Sequence, residues 1–232
     1  MRRRTTVVCS HAVWCQDATH LGRLTNRKAV EAEVVKDRGS LQTLGLSVGP
    51  SATADDVVLL LKTLKGKKGG LPLVLQTDNG SAYCSKQVGR LLAREKVVHL
   101  RSKVRQPTDN GAAERGIGEL KAEAGLGCGK RIEHSHQAGL LLVSAAQKLN
   151  SNRLRGSKGY RTANQMAKTL PSWYNRVTRD RFYREAGEAI RRAEENNRKR
   201  RARTAANGAV LMLLERHGII ERSRGDQPNH GT

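Results

Sequence analysis

Three acidic residues carry the strongest chemical signal in this 232-residue sequence. Asp17 closes a short apolar run within His11–Thr19. Asp78 follows the apolar run Leu71–Leu75, in Gln76-Thr77-Asp78-Asn79-Gly80-Ser81. Glu114 lies in the first turns of a helical pattern over Ala112–Ala124. Sixty residues separate Asp17 from Asp78, and 35 separate Asp78 from Glu114. No cation stands beside Asp17 or Asp78 in the chain. Such carboxylates suit a hard divalent ion, because Mg²⁺ prefers oxygen ligands and keeps several waters. Two such ions about 4 Å apart can activate an attacking oxygen and stabilise the leaving oxygen of a phosphodiester.

The elements that must position these acids are legible as periodicities. His11 to Asp17 reads as a first strand, Leu21 to Arg27 as a hairpin-like connection, and Ala29 to Val35 as its partner. Ser40 to Val48 alternates as a third strand, completing an antiparallel meander. Thr53 with Asp56 marks a helix start that continues through Leu64 and is stopped by Lys65 to Gly70. Leu71 to Gln76 is then a fourth strand, reached by a helical crossover and so parallel to its partner. A helix over Lys86–Glu95 and a fifth strand over Val97–Leu100 follow. Arg101 to Gly111 is a polar, basic loop. In the helix after it, Glu114, Gly118 and Lys121 share one face, while Ile117, Leu120 and Ala124 line an adjacent core stripe. Gly125 to Arg131 is a flexible break with no preceding strand, which excludes a nucleotide-binding glycine loop. His136 to Asn150 reads as a helix packing Leu140, Leu141, Val143 and Leu149 on the sheet.

Trp14-Cys15-Gln16-Asp17-Ala18-Thr19, Thr77-Asp78-Asn79-Gly80-Ser81 and Pro107-Thr108-Asp109-Asn110-Gly111-Ala112-Ala113-Glu114, with Leu120-Lys121-Ala122-Glu123 behind, resemble the integrase catalytic core. More closely, they are similar to the DDE transposases of bacterial insertion sequences, whose signature is Asp, Asp, thirty-five residues, Glu. Asn152-Arg153 through Gly159-Tyr160-Arg161-Thr162-Ala163-Asn164-Gln165 also resembles the stretch that follows that core. Asp37-Arg38-Gly39-Ser40 only loosely follows the family's Asp-Phe-Ser-Arg.

The resemblance spans roughly residues 10 to 170. It implies an α/β, ribonuclease H-like mixed five-stranded sheet flanked by helices, with Asp17 and Asp78 on neighbouring central strands. It implies that Asp17, Asp78 and Glu114 are catalytic and hold two Mg²⁺, for which Mn²⁺ substitutes. Lys121 is placed as a contact to DNA ends, with Arg115, Arg105 and Asn79 as further DNA-binding candidates. The activity implied is nicking of DNA ends followed by strand transfer. Two alternatives stay open: an inactive relic that only binds DNA, and a ribonuclease H-type nuclease that cuts without joining. Such recombinases usually act as multimers, so a homo-oligomer is expected.

Relatives of this kind carry a DNA-reading helix-turn-helix region before the core, whereas Asp17 stands near the start of this sequence. The expectation is therefore either a separate DNA-reading subunit or a truncated copy.

Composition agrees with a polyanionic partner. Lys and Arg number 43 against 21 Asp and Glu, a formal charge of +22. From Ser151 to Ala205 there are 16 Lys and Arg against 5 Asp and Glu, half of that excess. The organisation expected is a basic arm (1–8), a catalytic core (9–150) and a basic, mainly helical C-terminal extension (151–232) ending in a disordered tail from Arg222. Within the extension, Asp180 to Arg203 reads as one long polar helix. Ala209–Leu214 and Gly218–Ile220 read as apolar docking segments. Trp173, Tyr174, Phe182 and Tyr183, interleaved with arginines, read as a small core under a basic surface rather than as base-stacking platforms. Cys9, Cys15, Cys84 and Cys128 form no metal-ligand spacing and read as free thiols. His134-Ser135-His136 has no partner at zinc spacing. No apolar run is long enough for a signal peptide or a membrane span, and a cytoplasmic, nucleoid-associated bacterial protein is expected.

Overall fold

The computed structural model describes residues 3–101, 111–127, 131–197 and 199–224. In chain order its elements are β1 (Arg3–Val7), β2 (Val13–Leu24), β3 (Ala29–Asp37), β4 (Thr43–Gly49), α1 (Ala54–Lys68), β5 (Val74–Thr77), α2 (Lys86–Arg94), β6 (Val98–Arg101) and α3 (Gly111–Glu123). There follow β7 (Arg131–Ile132), α4 (Ser135–Asn152), α5 (Ala163–Thr169), α6 (Arg179–Glu195), α7 (Lys199–Arg216) and β8 (Ile220–Arg224).

The main sheet has the order β4-β3-β2-β5-β6. β2, β3 and β4 are antiparallel, and β5 and β6 continue the sheet in parallel from β2. This is the mixed five-stranded, ribonuclease H-like sheet that the resemblance implies. β7 adds a short sixth strand at the far end of β2, pairing Arg23 with Arg131 and Leu24 with Ile132.

Directly paired residues of neighbouring strands share a face, and faces alternate along each strand. Trp14, Val35 and Leu75 lie on one face, under a cluster with Val57, Leu61 and Leu64 of α1 and Val88, Leu91 and Leu92 of α2. On the other face, Ala32 and Val34 pack with Ile117 and Leu120 of α3 and with Leu142 and Leu149 of α4. Further along that same face, Val13, Val74, Val98 and Leu100 pack with Trp173, Phe182 of α6 and Val210, Leu213 and Leu214 of α7. Trp173 and Phe182 are thus core residues. Tyr174 stays exposed and stacks on the Trp173 ring at 3.7 Å.

Local chemistry fixes the ends of α1. The Thr53 hydroxyl and the Asp56 carboxylate cap each other's backbone, a box worth about 1 kcal/mol. Gly69 ends the helix at φ 72°, a left-handed conformation that a side chain would strain.

Several expectations are corrected. β2 does not end at Asp17 but runs to Leu24, leaving a tight turn in which Lys28 N donates to Asn26 Oδ1 at 3.1 Å. The start of the chain is not a loose arm. β1 pairs antiparallel with β8, so Arg222–Arg224 are strand rather than tail. α1 runs on through Gly66 to Lys68. Arg131, read as part of a flexible break, is in β7. Asp180 to Arg203 is two helices, because Asn196 caps α6 and the Asn197 amide donates to Ala193 O at 2.8 Å. Leu140, Leu141 and Val143 are exposed. α4 instead buries Ala138, Leu142, Ala145, Ala146 and Leu149, whose small alanines let the helix approach the sheet. Among the described residues, no helix is long and apolar enough to cross a membrane.

Candidate active site

β2 and β5 pair in parallel as Val13 with Val74, Trp14 with Leu75 and Cys15 with Gln76. Continued past its last pair, Cys15 with Gln76, that register brings Asp17 of β2 towards Asp78, which follows the end of β5. Asp17 lies on the face of Val13 and Cys15, which is the face covered by α3. Asp17 is part-buried within β2, and Asp78 is exposed just past the end of β5. The Asp78 carboxylate accepts from Gly80 N at 2.8 Å, which sets the turn after the strand.

Burial first, then the charge of Asp78, with smaller contributions from Glu33 and Glu114, raise the pKa of Asp17 to about 6 against a lowering hydrogen bond from the Ala18 backbone. The three sequence-selected acids therefore feel one another. They do not form a closed ligand set: among the described residues, no three His, Cys, Asp or Glu side chains converge enough to hold a metal ion. Asp17 and Asp78 come together, while Glu114 stands exposed in the first turn of α3.

α3 is pinned along its length. Ile117 and Leu120 are buried. Arg155 pairs with Glu119, and Lys148 with Glu123 at 2.5 Å. Gly116 lies against buried Lys36, where a Cβ would come within 2.5 Å of Nζ and would push the lysine tip aside. Arg155 belongs to the stretch that resembles the family's post-core segment, which gives that stretch a mechanical role.

Lys121 is half-buried on the Glu114 face of α3, and Arg115 is exposed. Asn79 is half-buried, and its Oδ1 accepts from Arg203 Nη1 of α7 at 2.7 Å. Arg105 and the Pro107 to Asn110 motif lie outside the described residues.

Four residues support the site without a role assigned to them from the sequence. Glu33 pairs with Ala18 and so points to the face opposite Asp17. It is buried and accepts from Tyr83 OH at 2.6 Å and Gln16 Nε2 at 3.0 Å, tying the loop after Asp78 to β2 and β3. Burial raises its pKa despite these donors. Thr77, next to Asp78, contacts His99 Nε2 at 2.9 Å; burial, with Arg101 nearby, lowers that imidazole to about 4. Asp37 accepts from Ser40 N, Ser40 Oγ and His11 N, which gives the loosely matched Asp37–Ser40 stretch a turn-forming role. Arg203 is the fourth.

Comparison with known proteins accords with this geometry. Residues 8–107 match the family of the integrase core domain; the match includes Asp17 and Asp78 and stops before Glu114. Among solved structures, the chain is similar to one in a simian T-cell lymphotropic virus intasome complexed with PP2A regulatory subunit B56 gamma. The TM-score is 0.59 at 19% identity, over 71% of this chain and 56% of that one. It is also similar to the HTLV-2 integrase catalytic core in complex with magnesium, with TM-score 0.54 at 17% identity over 69% and 99% of the two chains. For the BIV integrase catalytic core the TM-score is 0.51 at 21% identity, over 68% and 94%. At these identities the likeness is one of fold. No curated protein matches the sequence. Over residues 8–107 the chain is thus similar to the integrase core domain.

Proposed function

We propose that this chain is a metal-dependent DNA transposase or integrase that nicks DNA ends and transfers the freed strand. The observation that supports this reading is that Asp17 of β2 feels the charges of both Asp78, just past the end of the neighbouring β5, and Glu114. The donor set is carboxylate oxygen throughout, and burial together with the Asp78 charge disfavours the ionised form of Asp17. Both features fit a hard divalent cation, which would relieve the repulsion. Asp17 and Asp78 would hold Mg²⁺ or Mn²⁺, with Glu114 as the third carboxylate of a two-ion site. The bound ions would supply Lewis-acid activation of the attacking oxygen and stabilisation of the leaving one. Lys121, Arg115, Asn79 and Arg105 are the proposed DNA contacts, by charge and hydrogen bonding to phosphates. A homo-oligomer acting on paired DNA ends completes the reading.

One observation favours a second reading. The three acids do not converge into a ligand set among the described residues, as in a chain that binds DNA without turning it over.

Nicking of supercoiled plasmid separates the two. The expected result is nicking by the full chain with Mg²⁺ or Mn²⁺, abolished by chelator and by Asp78→Asn. DNA bound equally by parent and variant, with neither nicking under either metal, would overturn the enzymatic reading. With nicking established, strand-transfer assays using candidate DNA ends separate a transposase from a simple nuclease.

A further inference from the structure

The carboxylate face of the sheet is flanked on both sides. α3 covers it over β2 and β3, and α7 covers it over β5 and β6. α7 meets the sheet through a stripe at helical spacing. Ala206, Val210, Leu213 and Leu214 are buried, and Asn207 Nδ2 donates to Arg101 O at the end of β6 at 2.8 Å. One turn towards the start of α7, Arg203 reaches past the end of β5 and donates to Asn79, the residue after Asp78. α7 therefore runs antiparallel to β6 and passes the strand tips at the carboxylates. Arg203 is exposed there, and its bond to Asn79 uses one of the five guanidinium donors. Lys199, Arg200 and Arg201 precede it in the same helix, whose first turn carries no acid.

We propose that Arg203 is a phosphate-binding residue, and that α7 forms the cationic wall of a DNA groove whose other wall is α3. The inference rests on DNA being the substrate. An anionic strand approaching Asp17 and Asp78 needs compensating positive charge within a few ångströms of the acids. Arg203 supplies it by exchanging the neutral amide oxygen of Asn79 for a phosphate oxygen, a charge-assisted and stronger partner. The Arg203–Asn79 bond holds the guanidinium at the mouth until then.

The test is the salt dependence of binding to a labelled DNA duplex, in chelator so that no turnover is needed, using the full chain. Each phosphate neutralised contributes about 0.9 to the slope of log affinity against log salt. Arg203→Ala is expected to lower the slope by about that amount and the affinity several-fold. Arg203→Lys, which keeps the charge, should retain the slope. Asn207→Ala, which removes the tether of α7 to the end of β6, should leave it unchanged. Parental slope and affinity in Arg203→Ala would overturn the proposal while leaving the nicking assay to judge the enzymatic reading. Equal losses in Asn207→Ala and Arg203→Ala would also overturn it, since docking of α7 would then be the cause. No duplex binding by the parent would sink this inference and the DNA substrate together.

Discussion

Asp17 pays for its position in stability, and the sign of that cost is testable. Its pKa rises from 3.8 in the open chain to about 6 in the fold, because burial and the Asp78 charge disfavour the ionised form. A raised carboxyl costs nothing well below pH 3.8, where both states are protonated. The cost grows as pH climbs towards 6 and is complete above it. Asp17→Asn should therefore raise the melting temperature at pH 7.5 and leave it nearly unchanged at about pH 3. The gain is on the order of 1 kcal/mol once solvent screening is allowed for. Thermal melts of parent and variant at the two pH values check this, and a variant less stable at pH 7.5 would refute it. Asp17 and Asp78 were legible in the sequence because an acid at the end of an apolar run is unusual and local. Glu33 and Arg203 were not. Period-two alternation puts Glu33 opposite Asp17, on a face that looks solvent-bound until α1 and α2 cover it. The Asn79 contact of Arg203 bridges 124 residues, beyond the reach of any spacing rule.

At the scale of elements, the sheet and its helices were legible because their periodicities are local, and the C-terminal helices were only half so. The docking segments around Val210 and Ile219 were clear as apolar runs. The split of one polar run into α6 and α7 depends on two asparagines whose side chains and caps compete with the helix. The resulting hairpin is fastened by Glu185 of α6, which takes Arg181, Arg216 at 2.7 Å and His217 at 2.7 Å. Burial alone would raise this carboxyl, but Arg181, His217 and Arg216 outweigh it and hold it at about 2. A depressed carboxyl gives stability that is present above pH 4.5 and is lost as pH falls through the folded value. Glu185→Gln should thus cost about 1 kcal/mol at neutral pH, the scale of a partly exposed ion-pair network. The difference from the parent should shrink as pH drops below 4, and urea melts across that range read it out. If Arg203 binds phosphate, loosening this hairpin should weaken DNA binding as well.

Across the whole molecule, β1 joins β8 and the extension expected from composition shares a core with the main sheet. β1 and β8 pair over five residues. Val13, Val74, Val98 and Leu100 of the sheet are covered by Trp173, Phe182, Val210, Leu213 and Leu214. Composition marks a boundary near residue 150 because charge changes there, but charge is a property of the surface and says nothing about which apolar faces meet beneath it. Each large apolar side chain fully buried contributes about 1.5–3 kcal/mol, and whole domains are stable by only about 5–15 kcal/mol. A fragment of residues 9–150 would uncover four sheet side chains at once, an exposure comparable to the whole margin. We expect that fragment to bind a hydrophobic dye and to lose a cooperative melt, while the full chain stays folded and dye-silent. A fragment melting cooperatively within a few degrees of the full chain would show that α6 and α7 are an accessory to the catalytic sheet and not part of what holds Asp78 in place.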